Sequence, residues 1–126
     1  MGEFNVLVID DEADFVTTLL KRLRRKGVEC DGAGSGRAAM SVLTDRSFDV
    51  VLLDVRLPDM DGNEVLRHIR RMRPAAQVVM LSGYASAEAG RKGLGGGACD
   101  YLLKPVEFES LYDKLRAAFD RRVKPA

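Results

Sequence analysis

The sequence predicts an α/β domain: a doubly wound parallel sheet of five strands carrying five helices on its two faces. Apolar runs alternate with segments of helical periodicity along the whole chain. The runs are continuous instead of alternating with polar residues, as strands buried on both faces require. A length of 126 residues is enough for one domain, and an apolar fraction of 46% beside a charged fraction of 31% suits a folded globule.

Residues 4–9 read as the first buried strand. Over residues 12–26, Phe15, Leu19 and Leu23 recur at four-residue spacing beside Val16 and Leu20, forming one helix face. Gly27, free to take positive φ, ends that helix. A short strand follows over 28–33. Ser35 then suits the N-cap of a helix over 36–45 that turns Ala39, Val42 and Leu43 inward.

Residues 50–53, all valine or leucine, form the clearest strand. Pro58 and Gly62 mark a loop, and a helix over 64–73 stops at Pro74. Residues 78–81 and 101–103 supply the fourth and fifth strands. The last helix, over 108–121, places Phe108, Leu111, Leu115, Ala118 and Phe119 on one face. Between those last two strands, residues 87–98 must hold the fourth helix, although five of the twelve are glycine. An interior glycine costs about 1 kcal/mol relative to alanine. A short helix is therefore expected, ending near Leu94, with thin packing at Gly90 and Gly93 and with residues 95–97 serving as cap and turn.

Several function classes are disfavoured at once. A net charge of +1 lacks the basic excess of a nucleic-acid binder. No apolar run approaches the roughly 18 residues of a membrane span, and the N-terminus lacks signal-peptide order, so a cytoplasmic location is expected. Cys30 and Cys99 have neither disulfide nor zinc spacing and read as reduced structural thiols. The glycines at 32, 34 and 36 miss the dinucleotide-loop spacing, and no phosphate-binding P-loop occurs. His68, the single histidine, lies among Arg67, Arg70 and Arg71 and is expected on a solvated face. The basic cluster at 21–26 reads mainly as an outer helix face, with an acidic docking partner as the lesser alternative.

In sheets of this kind ligands lie beyond the carboxyl ends of the strands, near the point where strand order reverses. Functional residues should then follow the strands, and they do. Asp10, Asp11 and Glu12 follow the first, Asp54 ends the third, Ser82 follows the fourth, and Lys104 and Pro105 follow the fifth. Any one of these is unremarkable alone, but together they place three aspartates, a hydroxyl and a lysine at one edge. Three carboxylates in one pocket repel unless a cation neutralises them, and magnesium suits an all-oxygen site while retaining several waters.

These segments, 8–12, 53–62, 81–85 and 100–105, resemble in order and interval the receiver domain of two-component response regulators. The likeness covers about residues 5–121 of a single domain over 1–126 and implies the flavodoxin-like receiver fold. It implies that Asp54 accepts a phosphoryl group from a histidine kinase. It also implies a Mg2+ site of Asp10, Asp11, Asp54 and the backbone carbonyl of Arg56, with Asp11 a direct ligand and Asp10 acting partly through water. Ser82 and Lys104 would contact the phosphoryl oxygens, Tyr101 would be the aromatic switch residue, and the Lys104–Pro105 bond would be cis. Asp59 and Asp61 are expected to be turn and cap residues outside the site. Arg56 and Tyr84 occupy flanking positions that tune loss of the phosphoryl group in this family.

The implied protein is a switch, not an enzyme with a separate turnover substrate. Its partners would be a sensor histidine kinase or phosphotransfer protein and a downstream output protein or linked output domain. A phosphorylation-dependent homodimer stays open, while direct nucleic-acid or membrane binding is not implied. The alternatives fit less well. A haloacid-dehalogenase-type phosphatase wants a second aspartate where Arg56 stands, a flavin carrier would meet an acidic pocket, and a docking-only receiver would not need the full acidic set. Residues 121–126 read as a terminus or the start of a linker, so the output is not legible.

Overall fold

The computed structural model describes residues 4–83 and 87–123. Strands and helices alternate strictly: β1 (Asn5–Ile9), α1 (Ala13–Arg25), β2 (Glu29–Ala33), α2 (Gly36–Asp45), β3 (Val50–Asp54), α3 (Gly62–Met72), β4 (Gln77–Ser82), α4 (Ala87–Gly95), β5 (Asp100–Leu103) and α5 (Phe108–Val123). The five strands form one sheet in the order β2-β1-β3-β4-β5, and every pairing is parallel. From β1 the chain winds outward to β2, then crosses back to β3. The order therefore reverses between β1 and β3, whose carboxyl ends carry Asp10 and Asp54.

Side-chain alternation along the strands divides the core in two. Val6, Val8, Val50, Leu52, Val79, Leu81 and Leu102 pack with Leu19 and Leu23 of α1 and with Phe108, Leu111, Leu115 and Ala118 of α5. Leu7, Ile9, Val51, Leu53, Val78 and Met80 pack on the opposite side with residues of α2 and α3 and with Ala89 of α4. The face expected of the last helix is the one it buries.

Local chemistry fixes the helix ends. Gly27 has φ of +84° and follows α1 as expected. Ser35 accepts a hydrogen bond from the Ala38 amide at 3.1 Å and caps α2. The third helix begins two residues before the expected start, because the Asp61 carboxylate accepts from the Asn63 amide at 2.8 Å and caps it there.

One expectation needs correction. Gly90 and Gly93 do not thin the packing of α4. Both are buried, and a β-carbon at Gly93 would lie 2.6 Å from Met80 Cγ. Their missing side chains let the α4 backbone press onto β4. The helix then ends at Gly95, with the Ala98 amide reaching back to the Gly93 carbonyl at 2.9 Å and Gly97 at φ +109°. The basic cluster of α1 is exposed, as expected of an outer face, and two of its members also reach α5. Arg22 lies over the Phe108 ring at 4.4 Å, and Lys26 lies 5.1 Å from the Tyr112 centroid and 3.6 Å from Glu109. Guanidinium and ammonium groups over aromatic faces tie α1 to α5. Cys30 and Cys99 are free and half-buried, and burial pushes both thiols up.

Candidate functional site

Strand pairing continues one residue past the carboxyl ends and sets the site in place. The Asp10 amide donates to Ala33 at 3.0 Å, the Val55 amide to Leu81 at 3.0 Å and the Lys104 amide to Ser82 at 2.7 Å. Gly62 brings the start of α3 against the end of β3. A β-carbon at Gly62 would lie 2.4 Å from Val55 Cα and 2.7 Å from the Asp54 carbonyl oxygen, and only glycine permits that approach.

Carboxylate oxygens of Asp10, Asp11 and Asp54 all lie within 4.8 Å of one another. Asp10 is 1% exposed and Asp54 6%, while Asp11 is exposed. The Asp10 carboxylate accepts from the Glu12 amide at 2.9 Å through Oδ1 and pairs with Lys104 Nζ at 2.8 Å through Oδ2. Lys104 Nζ lies 3.6 Å from Asp54 Oδ2, and Asp54 Oδ1 accepts from the Arg56 amide at 3.0 Å. Lys104 also pairs with the Glu12 carboxylate and lies over the Phe15 ring at 5.0 Å.

Two groups are strongly perturbed. Burial is the main cause that pushes the Asp54 carboxyl up to about 6; the charges of Asp10 and Asp11 add to it, and the Arg56 amide and Lys104 oppose it. Burial acts to lower the Lys104 pKa, but its bonds to Asp10 and Glu12 and the Asp54 charge outweigh burial and hold the ammonium above its ordinary range. A buried carboxyl whose pKa is pushed up to about 6, beside a fixed cation, marks this edge as chemically poised.

The structure thus brings together Asp10, Asp11, Asp54 and Lys104. Arg56 is exposed, contributes its amide to Asp54 and pairs with Asp61 through the backbone. Ser82 is fully buried at the end of β4, and Tyr101 is half-buried against the core half beneath α2, α3 and α4. The Lys104–Pro105 bond is cis. Asp59 and Asp61 stand apart in the expected roles. Asp59 accepts from the Gly36 and Arg37 amides at 2.8 and 2.9 Å, and Asp61 caps α3. Tyr84 lies outside the described residues. Sequence reasoning missed Glu12 as a partner of Lys104, although its place beside Asp10 and Asp11 after the first strand was the available signal. An all-carboxylate donor set of this spacing fits a hard divalent cation.

A family model of the response regulator receiver domain matches residues 6–116. The chain belongs to that family. Receiver domains of this kind act in phosphorelay signalling by two-component systems, and this one has the family's five-stranded fold. The domain is 40% identical over 114 residues to the transcriptional regulatory protein ZraR of Escherichia coli O157:H7, covering 90% of this chain and 26% of that protein. It is 38% identical over 112 residues to the transcriptional regulatory protein TcrA of Mycobacterium tuberculosis, covering 89% of this chain and 44% of that one. The receiver domain thus spans less than half the length of these relatives. Among solved structures, a CheY-like receiver domain protein of Methanospirillum hungatei JF-1 matches with a TM-score of 0.91 at 30% identity, covering 96% of this chain and 97% of that one. The receiver domain of NtrX from Brucella abortus matches at 0.86 and 30% identity, covering 91% and 98%. Among the described residues of this receiver domain, no helix is long and apolar enough to cross a membrane.

Proposed function

We propose that this receiver domain, acting as one unit over residues 1–126, takes a phosphoryl group onto the Asp54 carboxylate. The donor is a phosphohistidine of a sensor kinase or phosphotransfer protein. An Asp54 oxygen attacks phosphorus, the bond from phosphorus to the imidazole nitrogen breaks, and an acyl phosphate forms on the chain. The observation that carries this reading is Asp54 itself: a buried carboxylate at the strand switch point, 3.6 Å from the Lys104 ammonium and within reach of two more aspartates.

Lys104 supplies positive charge where the transferring oxygens gather negative charge. Asp10 holds Lys104 in place, and the Arg56 amide orients the Asp54 carboxylate. Ser82 is assigned to a phosphoryl oxygen and Tyr101 to the switch that follows. The carboxylates would hold Mg2+, Asp11 and Asp54 directly and Asp10 partly through water, with the Arg56 carbonyl as a further donor. When bound, the ion neutralises the carboxylates and screens the incoming phosphoryl group from them. Asp10 is engaged by Glu12 and Lys104, so the exposed Asp11 is the carboxylate most available to the ion.

Hydrolysis of the acyl phosphate on the same chain resets the switch, with no separate turnover substrate. The named relatives are transcriptional regulatory proteins that extend well beyond the matched region, which supports a linked output domain. A small phosphodonor with magnesium should add one phosphoryl mass, and Asp54→Asn should abolish it. Undiminished labelling in that variant overturns the assignment.

A further inference from the structure

The alternation that divides the core also divides the functional side chains. Asp54 lies two residues beyond Leu52, and Asp10 and Lys104 lie two beyond Val8 and Leu102, all of them residues of the core half under α1 and α5. Ser82 lies two beyond Met80, in the half under α2, α3 and α4. Its hydroxyl is fully buried and has no hydrogen-bond partner among the described residues.

What the hydroxyl faces is Gly90. A β-carbon at that position would lie 2.7 Å from Ser82 Oγ, 3.4 Å from Ser82 Cβ and 3.7 Å from Tyr101 Cδ2. The first distance is too short for coexistence, whereas the other two are ordinary contacts. An unpartnered buried hydroxyl gains nothing from its place, and one rotation about χ1 carries it to another staggered well. Among the described residues no hydrogen bond holds it there, and Gly90 provides the space it occupies.

We infer that Gly90 is a positioning residue for Ser82: the room left by its missing side chain houses the Ser82 hydroxyl in the unphosphorylated protein. This rests on the proposed contact between Ser82 and a phosphoryl oxygen, because making that contact requires the hydroxyl to leave the niche. The vacated space adjoins Tyr101, so the same rotation reaches α4 and the aromatic ring together. Alanine at position 90 fills the niche and displaces the hydroxyl before any phosphoryl group arrives, which removes part of the conformational cost of binding.

The test is beryllofluoride binding with magnesium, the adduct standing in for the phosphoryl group. It compares the native chain, Gly90→Ala, Ser82→Ala, the double variant and Gly95→Ala, whose added methyl meets nothing within 4 Å. Gly90→Ala should bind about threefold tighter or more, Gly95→Ala should match the native chain, and the double variant should match Ser82→Ala. No gain in Gly90→Ala, an equal gain in Gly95→Ala, or a gain that survives removal of Ser82 overturns the inference. Weakened binding in Ser82→Ala with an unaltered Gly90→Ala removes the inference and leaves the Ser82 contact standing. Unweakened binding in Ser82→Ala removes both. Should Gly90→Ala fail to fold, Ser82 χ1 couplings measured by NMR in the native chain decide the matter. A change of rotamer on adding beryllofluoride is expected, and one rotamer in both states overturns it.

Discussion

Asp54 carries its charge at neutral pH against its surroundings. Its folded pKa, about 6, stands above the ordinary 3.8 chiefly because of burial, with Asp10 and Asp11 adding to it. The folded protein therefore holds this proton more tightly than the unfolded chain, and stability falls as pH rises from about 4 through 6. Roughly two pKa units correspond to about 3 kcal/mol, an upper figure for a site beside other carboxylates. Asp54→Asn cannot ionise, so without metal it should be about 1–3 kcal/mol more stable than the native chain at pH 7. Below about pH 4 the two should converge, and urea denaturation at both pH values checks this. A difference independent of pH would show that charge at Asp54 is not the cause. A second pair of substitutions separates the proposed metal site from the caps. Asp11→Ala should weaken magnesium binding strongly, while Asp59→Ala, whose carboxylate serves the α2 amides, should leave it near native. Titration with magnesium monitored by NMR distinguishes the two, and equal losses would place the site elsewhere.

At the scale of elements, α4 combines close packing with weak intrinsic preference. Gly90 and Gly93 each cost the helix about 1 kcal/mol relative to alanine, and what they give in return is the approach of α4 to Ser82 and Met80. Residues 87–94 should consequently exchange amide hydrogens faster than α5 before phosphorylation and change protection after it. If they are as protected as α5 and unchanged, the glycines serve packing alone. The elements were legible in the sequence, most of them from their periodicities and α4 from the alternation of strands with helices. The early start of α3 was not, since it depends on Asp61 choosing the Asn63 amide. The glycines of α4 were misread for a related reason. Propensity is a property of a helix by itself, whereas Met80 and Ser82 reach those glycines only through the fold.

For the whole molecule, the sheet order is what made the site legible. Once strands were recognised as parallel, Asp10, Asp54, Ser82 and Lys104 had to gather at one edge. Illegible from sequence was how the charges would share partners, with Lys104 divided among Asp10, Glu12 and Asp54. That depends on side-chain reach, which motif spacing does not encode. The position of β3 has one more consequence. It is the middle strand, buried at all five residues, while β2 forms an edge. Central strands take part in the rarest openings of a fold, and edges in the commonest. The acyl phosphate proposed on Asp54 would be insulated there from breathing at the margins of the sheet. Loosening the edge, as by Cys30→Ser, should lower the melting temperature yet leave the half-life of the acyl phosphate untouched. Its duration would then be set by the groups around Asp54, free to be tuned without altering how firmly the protein holds together.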